Sequence, residues 1–152
     1  MSFEELKAAH LTESTQPPHD RNEFEMPDKT PDSSLTSDEG RALAQTIISY
    51  QLPCGGWSKA IDYTQGPRPP GTQFVAQGHR WHYAGTFDNR STTEQLKFLA
   101  RSQSLLPNDA TQAAVERGID YLFAAQAPNG GWPQCFPLEG GYHDEITLND
   151  DA

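Results

Sequence analysis

One seven-residue pattern occurs twice in this chain, and it limits the possible folds more than any other feature. Gln51-x-Pro53-x-Gly55-Gly56-Trp57 returns as Gln126-x-Pro128-x-Gly130-Gly131-Trp132. Each copy follows a stretch with apolar residues at helical spacing. These are Leu43, Ile47 and Tyr50 before the first copy, and Val115, Ile119 and Leu122 before the second. Each copy then leads through a loop to a short polar signature, Thr86-Phe87-Asp88-Asn89 in one case and Thr147-Leu148-Asn149-Asp150 in the other. The first signature opens a helix pattern, and the logic of repeats assigns the same to the second. The unit is helix, Gly-Gly-Trp corner, loop, acidic signature, helix. Hairpins of this kind bury their apolar faces only by stacking on neighbours. If they close into a ring, alternate helices run the same way and their N-termini gather at one rim. Symmetry alone then brings Asp88 and Asn89 together with Asn149, Asp150 and Asp151.

The spacing predicts an all-α chain with helices near residues 39–52, 91–105 and 109–127. Thr36 with Glu39 has the form of a capping box for the first, and Ser91-Thr92-Thr93-Glu94 has it for the second. Asn108 or Asp109 caps the third. The stretch from Ser58 to Phe87 is too rich in Pro and Gly for a helix, with a short hairpin expected near residues 73–83. A loop of that length in a compact domain is often functional. Residues 12–38, rich in Pro, Ser, Thr, Asp and Glu, carry almost no periodic apolar residues. Two segments are therefore expected, a disordered or loosely packed acidic extension over 1–38 and a helical domain over 39–152.

Charge follows the same division. The chain has 21 Asp and Glu against 11 Lys and Arg, and ten of those acids fall in residues 1–40. This balance argues against a nucleic-acid partner recognised through a broad basic face. No apolar run approaches the roughly 18 residues that cross a bilayer, so no membrane partner is expected either. The start, MSFEELKAAHLTEST, has no basic and apolar leader pattern, so the compartment stays open between retention and loss of an export signal. Cys54 and Cys135 are read as separate thiols.

Oxygen ligands from Asp and Asn at one rim suit a hard cation such as Ca²⁺, which accepts about six to eight oxygens in irregular geometry. Helix capping is the bland reading of Asp88 and Asn89, but capping needs one such residue per helix. Zinc is disfavoured, because His79 and His82 have no Cys or His pair to complete a set of four ligands. Trp57 and Trp132 are read as packing residues, with sugar stacking as the alternative. Lys59 departs from its own repeat, where Gln134 holds the matching place, so it is a candidate to bind a substrate carboxylate. A solvated surface lysine fits equally well. Tyr142 and His143, just upstream of the second acidic cluster, and Trp81-His82-Tyr83, upstream of the first, fit either sugar binding or loop anchoring.

Longer motifs carry a family resemblance. Thr86-Phe87-Asp88-Asn89-x-Ser91-Thr92-Thr93-Glu94, Phe98-Leu99-Ala100-Arg101 and Arg117-Gly118-Ile119-Asp120-Tyr121-Leu122 resemble the pectate lyases of polysaccharide lyase family 10. So do Ala125-Gln126-x-Pro128-Asn129-Gly130-Gly131-Trp132-Pro133-Gln134 and Gly140-Gly141-Tyr142-His143-Asp144-x-Ile146-Thr147-x-Asn149-Asp150-Asp151-Ala152. The likeness runs from about Gly40 to the last residue. It implies an (α/α) toroid of helical hairpins, incomplete here, and calcium-dependent cleavage of polygalacturonate by β-elimination. Carried over by motif, Asp88 and Asp150 are the expected calcium carboxylates. Asn89 stands beside them on metal or substrate, and Lys59, Tyr142 and His143 are expected substrate-binding residues. Ser58 replaces a proline usual in the family.

The family's arginine base lies downstream of the Asn-Asp-Asp-Ala motif. None of Arg41, Arg68, Arg80, Arg90, Arg101 or Arg117 takes its place, so no catalytic residue is assigned and this chain is expected to cleave poorly. The family also implies a secreted or periplasmic location and a monomer when the ring is complete. Two alternatives remain: a non-catalytic module binding calcium or acidic polysaccharide, and a terpene-cyclase-like toroid, for which no aspartate-rich site is evident.

Overall fold

The structure is a computed structural model that describes residues 1–9, 13–20, 22–76 and 84–147. In chain order its helices are α1 (Phe3–Ala9), α2 (Asp32–Thr36), α3 (Asp38–Ser49), α4 (Thr93–Leu105) and α5 (Asp109–Ala125). Two short strands, β1 (Gly85–Thr86) and β2 (Cys135–Phe136), pair antiparallel with Gly85 opposite Phe136 and Thr86 opposite Cys135. No helix among the described residues is long and apolar enough to cross a membrane.

The three long helices lie where the apolar spacing placed them, and they pack on one another. Ile47 of α3 and its C-cap Tyr50, Leu96, Phe98 and Leu99 of α4, and Ala114 and Val115 of α5 share one core with Trp57. Burying side chains of this size is the main favourable term, about 1.5–3 kcal/mol each. A second cluster joins Leu6, Leu52, Phe74 and Val75, and a third joins Phe87, Tyr121 and Ala125.

The two Gly-Gly-Trp corners use the same bonds in different surroundings. At the first, Trp57 Nε1 donates to the Ile47 carbonyl at 2.8 Å. Gln51 Nε2 donates both to Gly55 O at 2.8 Å and across to Ala114 O of α5 at 2.9 Å. Gly55 has φ 99°, and a Cβ there would stand 2.3 Å from the Arg117 carbonyl, so α5 presses directly on this turn. At the second corner, Trp132 Nε1 donates to Leu122 O at 2.8 Å and Gln126 Nε2 to Gly130 O at 3.0 Å. Here a Cβ on Gly130 would meet nothing within 4 Å. Trp57 is fully buried, whereas Trp132 is 40% exposed. Both indoles are thus tied back to the helix before them, and among the described residues only the first is also covered by a following helix.

Residues 1–38 depart from the expectation of a loose extension. Leu6, Met26 and Leu35 are almost fully buried, and α2 packs on both α3 and α4. These anchors are spaced without periodicity because each belongs to a separate turn or short helix, which is why pattern reading passed over them. The helix starts also differ in detail. Ser37 caps α3 by accepting from Gly40 N at 3.1 Å, in place of a Thr36–Glu39 box. Thr92 has φ 66° and makes no cap to α4. Its hydroxyl instead accepts from Trp57 N at 3.0 Å and donates to Thr86 O at 2.8 Å. Asn108 does cap α5, accepting from Thr111 N at 2.9 Å. The hairpin expected near residues 73–83 falls largely outside the described residues, as do His79, Trp81 and His82.

The contrast between the corners is measurable. Trp57→Ala should cost about 3–5 kcal/mol in urea unfolding, and Trp132→Ala clearly less. Equal losses would mean that α5 does not make the first corner special.

Candidate active site

The loops leaving the two corners are joined by β1 and β2, and the candidate site forms where they meet. Thr86 N donates to Trp57 O at 3.0 Å, Phe87 N to Gln134 O at 2.9 Å, and Thr86 Oγ1 to the same Gln134 carbonyl at 2.8 Å. This short ladder places the residues after each tryptophan side by side. A cavity of about 70 Å³ results, lined by Ser58, Lys59, Val75, Ala84, Thr86, Asp88, Cys135 and His143.

At its centre the Lys59 ammonium is paired with Asp88 Oδ2. Both side chains are mostly buried, at 19% and 14% exposure. The other carboxylate oxygen, Asp88 Oδ1, is buried and has no hydrogen-bond partner among the described residues. Asp88 begins a 3-10 turn, Asp88–Arg90, rather than capping α4, and its own N–H donates to Thr86 Oγ1 at 3.1 Å. A carboxylate with one oxygen on a cation and one left bare is poised for a further positive ligand.

His143 enters from the 3-10 turn Tyr142–Asp144, with Nδ1 2.6 Å from Gln134 Oε1. Asp144 braces that turn by accepting from the N–H groups of Glu139, Gly140 and Gly141 at 3.0, 2.7 and 3.2 Å. Tyr142 is 62% exposed and stands edge-on to the His143 ring at 5.0 Å, outside the cavity lining. Asn89, with φ 52° and ψ 41°, donates Nδ2 to Glu23 Oε1 at 2.6 Å.

Of the six residues singled out in sequence, Lys59, Asp88 and His143 thus line one cavity. Asn89 adjoins it through Asp88, Tyr142 lies outside it, and Asp150 falls outside the described residues. Sequence reading missed Thr86, Cys135 and the lining role of Ser58, whose hydroxyl donates to Lys59 O at 2.9 Å. The repeat held one unused signal. Gln134 is the counterpart of Lys59, and the two matching positions serve the same cavity, one by lining it and the other by holding His143.

Cys54 and Cys135 are free thiols. Burial pushes the Cys135 thiol up to about 12, against a weaker opposing hydrogen bond to Thr86, and burial raises Cys54 as well. Burial thus disfavours the thiolate at both positions.

A family model described as pectic acid lyase matches residues 51–152. The chain belongs to the pectic acid lyase family. Among solved structures, a family 10 polysaccharide lyase from Cellvibrio cellulosa is 30% identical with a TM-score of 0.62, covering 79% of this chain and 34% of its own. A mutant of a family 10 polysaccharide lyase from the same organism, in complex with trigalacturonic acid, is 29% identical with a TM-score of 0.62, covering 79% and 35%. The chain therefore spans about a third of the length of the family 10 polysaccharide lyases it matches, and its stacked helical hairpins are of their α/α toroid fold. No curated protein matches it.

Two outcomes follow from the site. Lys59→Ala strands a mostly buried carboxylate and should destabilise by about 1–3 kcal/mol. Lys59→Met combined with Asp88→Asn should recover much of that in the same urea titration; no recovery would show that the pair is not the cause. At pH 8, iodoacetamide should label both cysteines slowly in the native chain and quickly in urea. Rapid native labelling of Cys135 would contradict its burial.

Proposed function

We propose that this chain supplies a cation- and uronate-binding part of a calcium-dependent pectate lyase that cleaves polygalacturonate by β-elimination. The observation that carries the reading is the Lys59–Asp88 pair with its bare, buried Asp88 oxygen, in a chain of this family. The donor set fits a hard cation in part. Among the described residues Asp88 Oδ1 has no partner, and Asn89 follows directly in the same turn. Among the described residues no group of three or more His, Cys, Asp or Glu side chains is arranged to hold a metal ion. Asp150 is proposed as the second carboxylate, and the solved relative's complex with trigalacturonic acid supports a pectic substrate.

The chain's own groups divide the work. Asp88 holds positive charge at the cavity, and Lys59 presents an ammonium whose charge suits a uronate carboxylate. Gln134 fixes the His143 ring, so His143 offers a positioned hydrogen-bonding edge to a sugar hydroxyl. Ser58 and Thr86 hold the backbone under Lys59 and Asp88. Bound calcium would supply Lewis-acid stabilisation of the charge that develops as the C5 proton leaves.

Calorimetry of this chain with calcium and trigalacturonate tests the reading. Asp88→Ala should weaken calcium binding by more than about tenfold, equivalent to ~1.4 kcal/mol, and Lys59→Ala should weaken trigalacturonate binding at saturating calcium. Unchanged affinity in Asp88→Ala would remove Asp88 from the site. Unsaturated uronate released from polygalacturonate by a longer clone that carries the family's arginine, and not by this chain, fits the lyase reading, whereas binding with no release by either would favour a non-catalytic binding module.

A further inference from the structure

The polar turn beside the cavity is held in an unusual backbone, and what holds it comes from a segment outside the matched family region. Asn89, Arg90 and Thr92 all have positive φ, at 52°, 60° and 66°. For non-glycine residues this region is sparsely populated, and for a β-branched threonine it is an outlier. Such residues cost of order 1–3 kcal/mol each and persist only where surroundings over-determine them. Thr92 is fixed by its bonds to Trp57 and Thr86. The other two are met by residues 22–28.

That segment runs across the turn and the start of α4 as a strap. Glu23, itself at φ 57°, accepts from Asn89 Nδ2 at 2.6 Å. Glu25 accepts from Arg90 Nη1 at 2.9 Å, Met26 N donates to buried Glu94 Oε2 at 2.9 Å, and Asp28 accepts from Lys97 Nζ at 3.1 Å. Phe24 lies edge-on between Tyr63 and Phe98, at 5.5 and 5.7 Å. The buried Met26 and these aromatic contacts fix the strap, so Glu23 is delivered to Asn89 by packing and not by chance approach.

The consequence lies in the asparagine. A side-chain amide has a donor end and an acceptor end, and its neighbours decide which end faces where. With Nδ2 committed to a carboxylate, Oδ1 is left as the group that can serve a cation or a sugar hydroxyl. We infer that Glu23 is a positioning residue, through which the N-terminal strap orients the Asn89 amide so that its oxygen serves the Asp88 site. The inference rests on the calcium reading for its functional consequence, and on the observed contact for the orientation itself. The family model's match starts at residue 51, so the strap lies outside the region that model covers.

The test uses the whole chain, with thermal unfolding to confirm that each variant is folded. In ¹⁵N–¹H spectra the Asn89 side-chain amide should shift strongly in Glu23→Ala and return towards wild type in Glu23→Gln, whose carbonyl still accepts. Calcium affinity should fall about tenfold in Glu23→Ala, the scale typical of lost outer-shell partners. It should recover in Glu23→Gln and fall further in Glu23→Lys, where an ammonium draws the amide oxygen to itself. Glu25→Ala, on the same strap, should leave the Asn89 amide and calcium affinity unchanged. An Asn89 amide indifferent to Glu23→Ala overturns the inference. So does unchanged calcium affinity in Glu23→Ala while Asp88→Ala still abolishes binding. If the Asn89 amide answers to Glu23 but the wild-type chain binds no calcium, the orientation stands and the calcium reading of the site is what falls.

Discussion

Burial of the Trp57 indole against α5 is the contact on which the other elements depend. The indole N–H is tied back to the carbonyl of Ile47, so the chain leaving α3 must turn over that helix's end. Gln51 then reaches across to α5 and shares its amide between the turn and the Ala114 carbonyl. Gly118 completes the fit, since a Cβ there would stand 2.8 Å from Leu96 and 3.3 Å from the indole. Turn, helix pairing and core packing are one constraint. A side chain at Gly118, or an apolar residue at Gln51, would disturb all three together.

From that corner the chain is aimed at the site. The Trp57 backbone N–H and carbonyl bind Thr92 and Thr86, which tie the start of α4 to β1. β1 draws in β2, and with it the loop from the second corner. A two-residue ladder would be marginal alone in water. Here it is clamped between the covered first corner and Tyr121, whose hydroxyl donates to Phe136 O at 3.2 Å. Lys59 and Asp88, 29 positions apart, meet because this frame leaves their side chains one cavity to share.

The polar turn after β1 shows how stability and function are balanced along one segment. A relaxed helix start would place an ordinary cap at Thr92 and leave Asp88 and Asn89 as solvated polar residues. Instead several residues take left-handed backbone, and their cost is offset by bonds from the first corner on one side and the N-terminal strap on the other. The bare oxygen of Asp88 has no such compensation among the described residues. A buried polar group of this kind takes its partner from a water, a ligand or a residue beyond the described ones.

The sequence by itself determined the three long helices, because an apolar stripe at helical spacing has few other ways to be buried. It also determined the paired corners, because a Gly-Gly-Trp turn repeated after two such stripes implies a common mode of packing. Asp88 was legible as a residue of interest through the repeated signature, Lys59 through its departure from the repeat, and His143 through its place upstream of the second acidic cluster. Tertiary structure decided the rest. The Lys59–Asp88 pairing, the β1–β2 link and the Gln134–His143 contact join residues with no periodic relation, so no local pattern encodes them. The docking of residues 22–28 was invisible for the same reason. Its anchors, Phe24 and Met26, form no stripe, and their burial depends on a groove that exists only once α3 and α4 have packed.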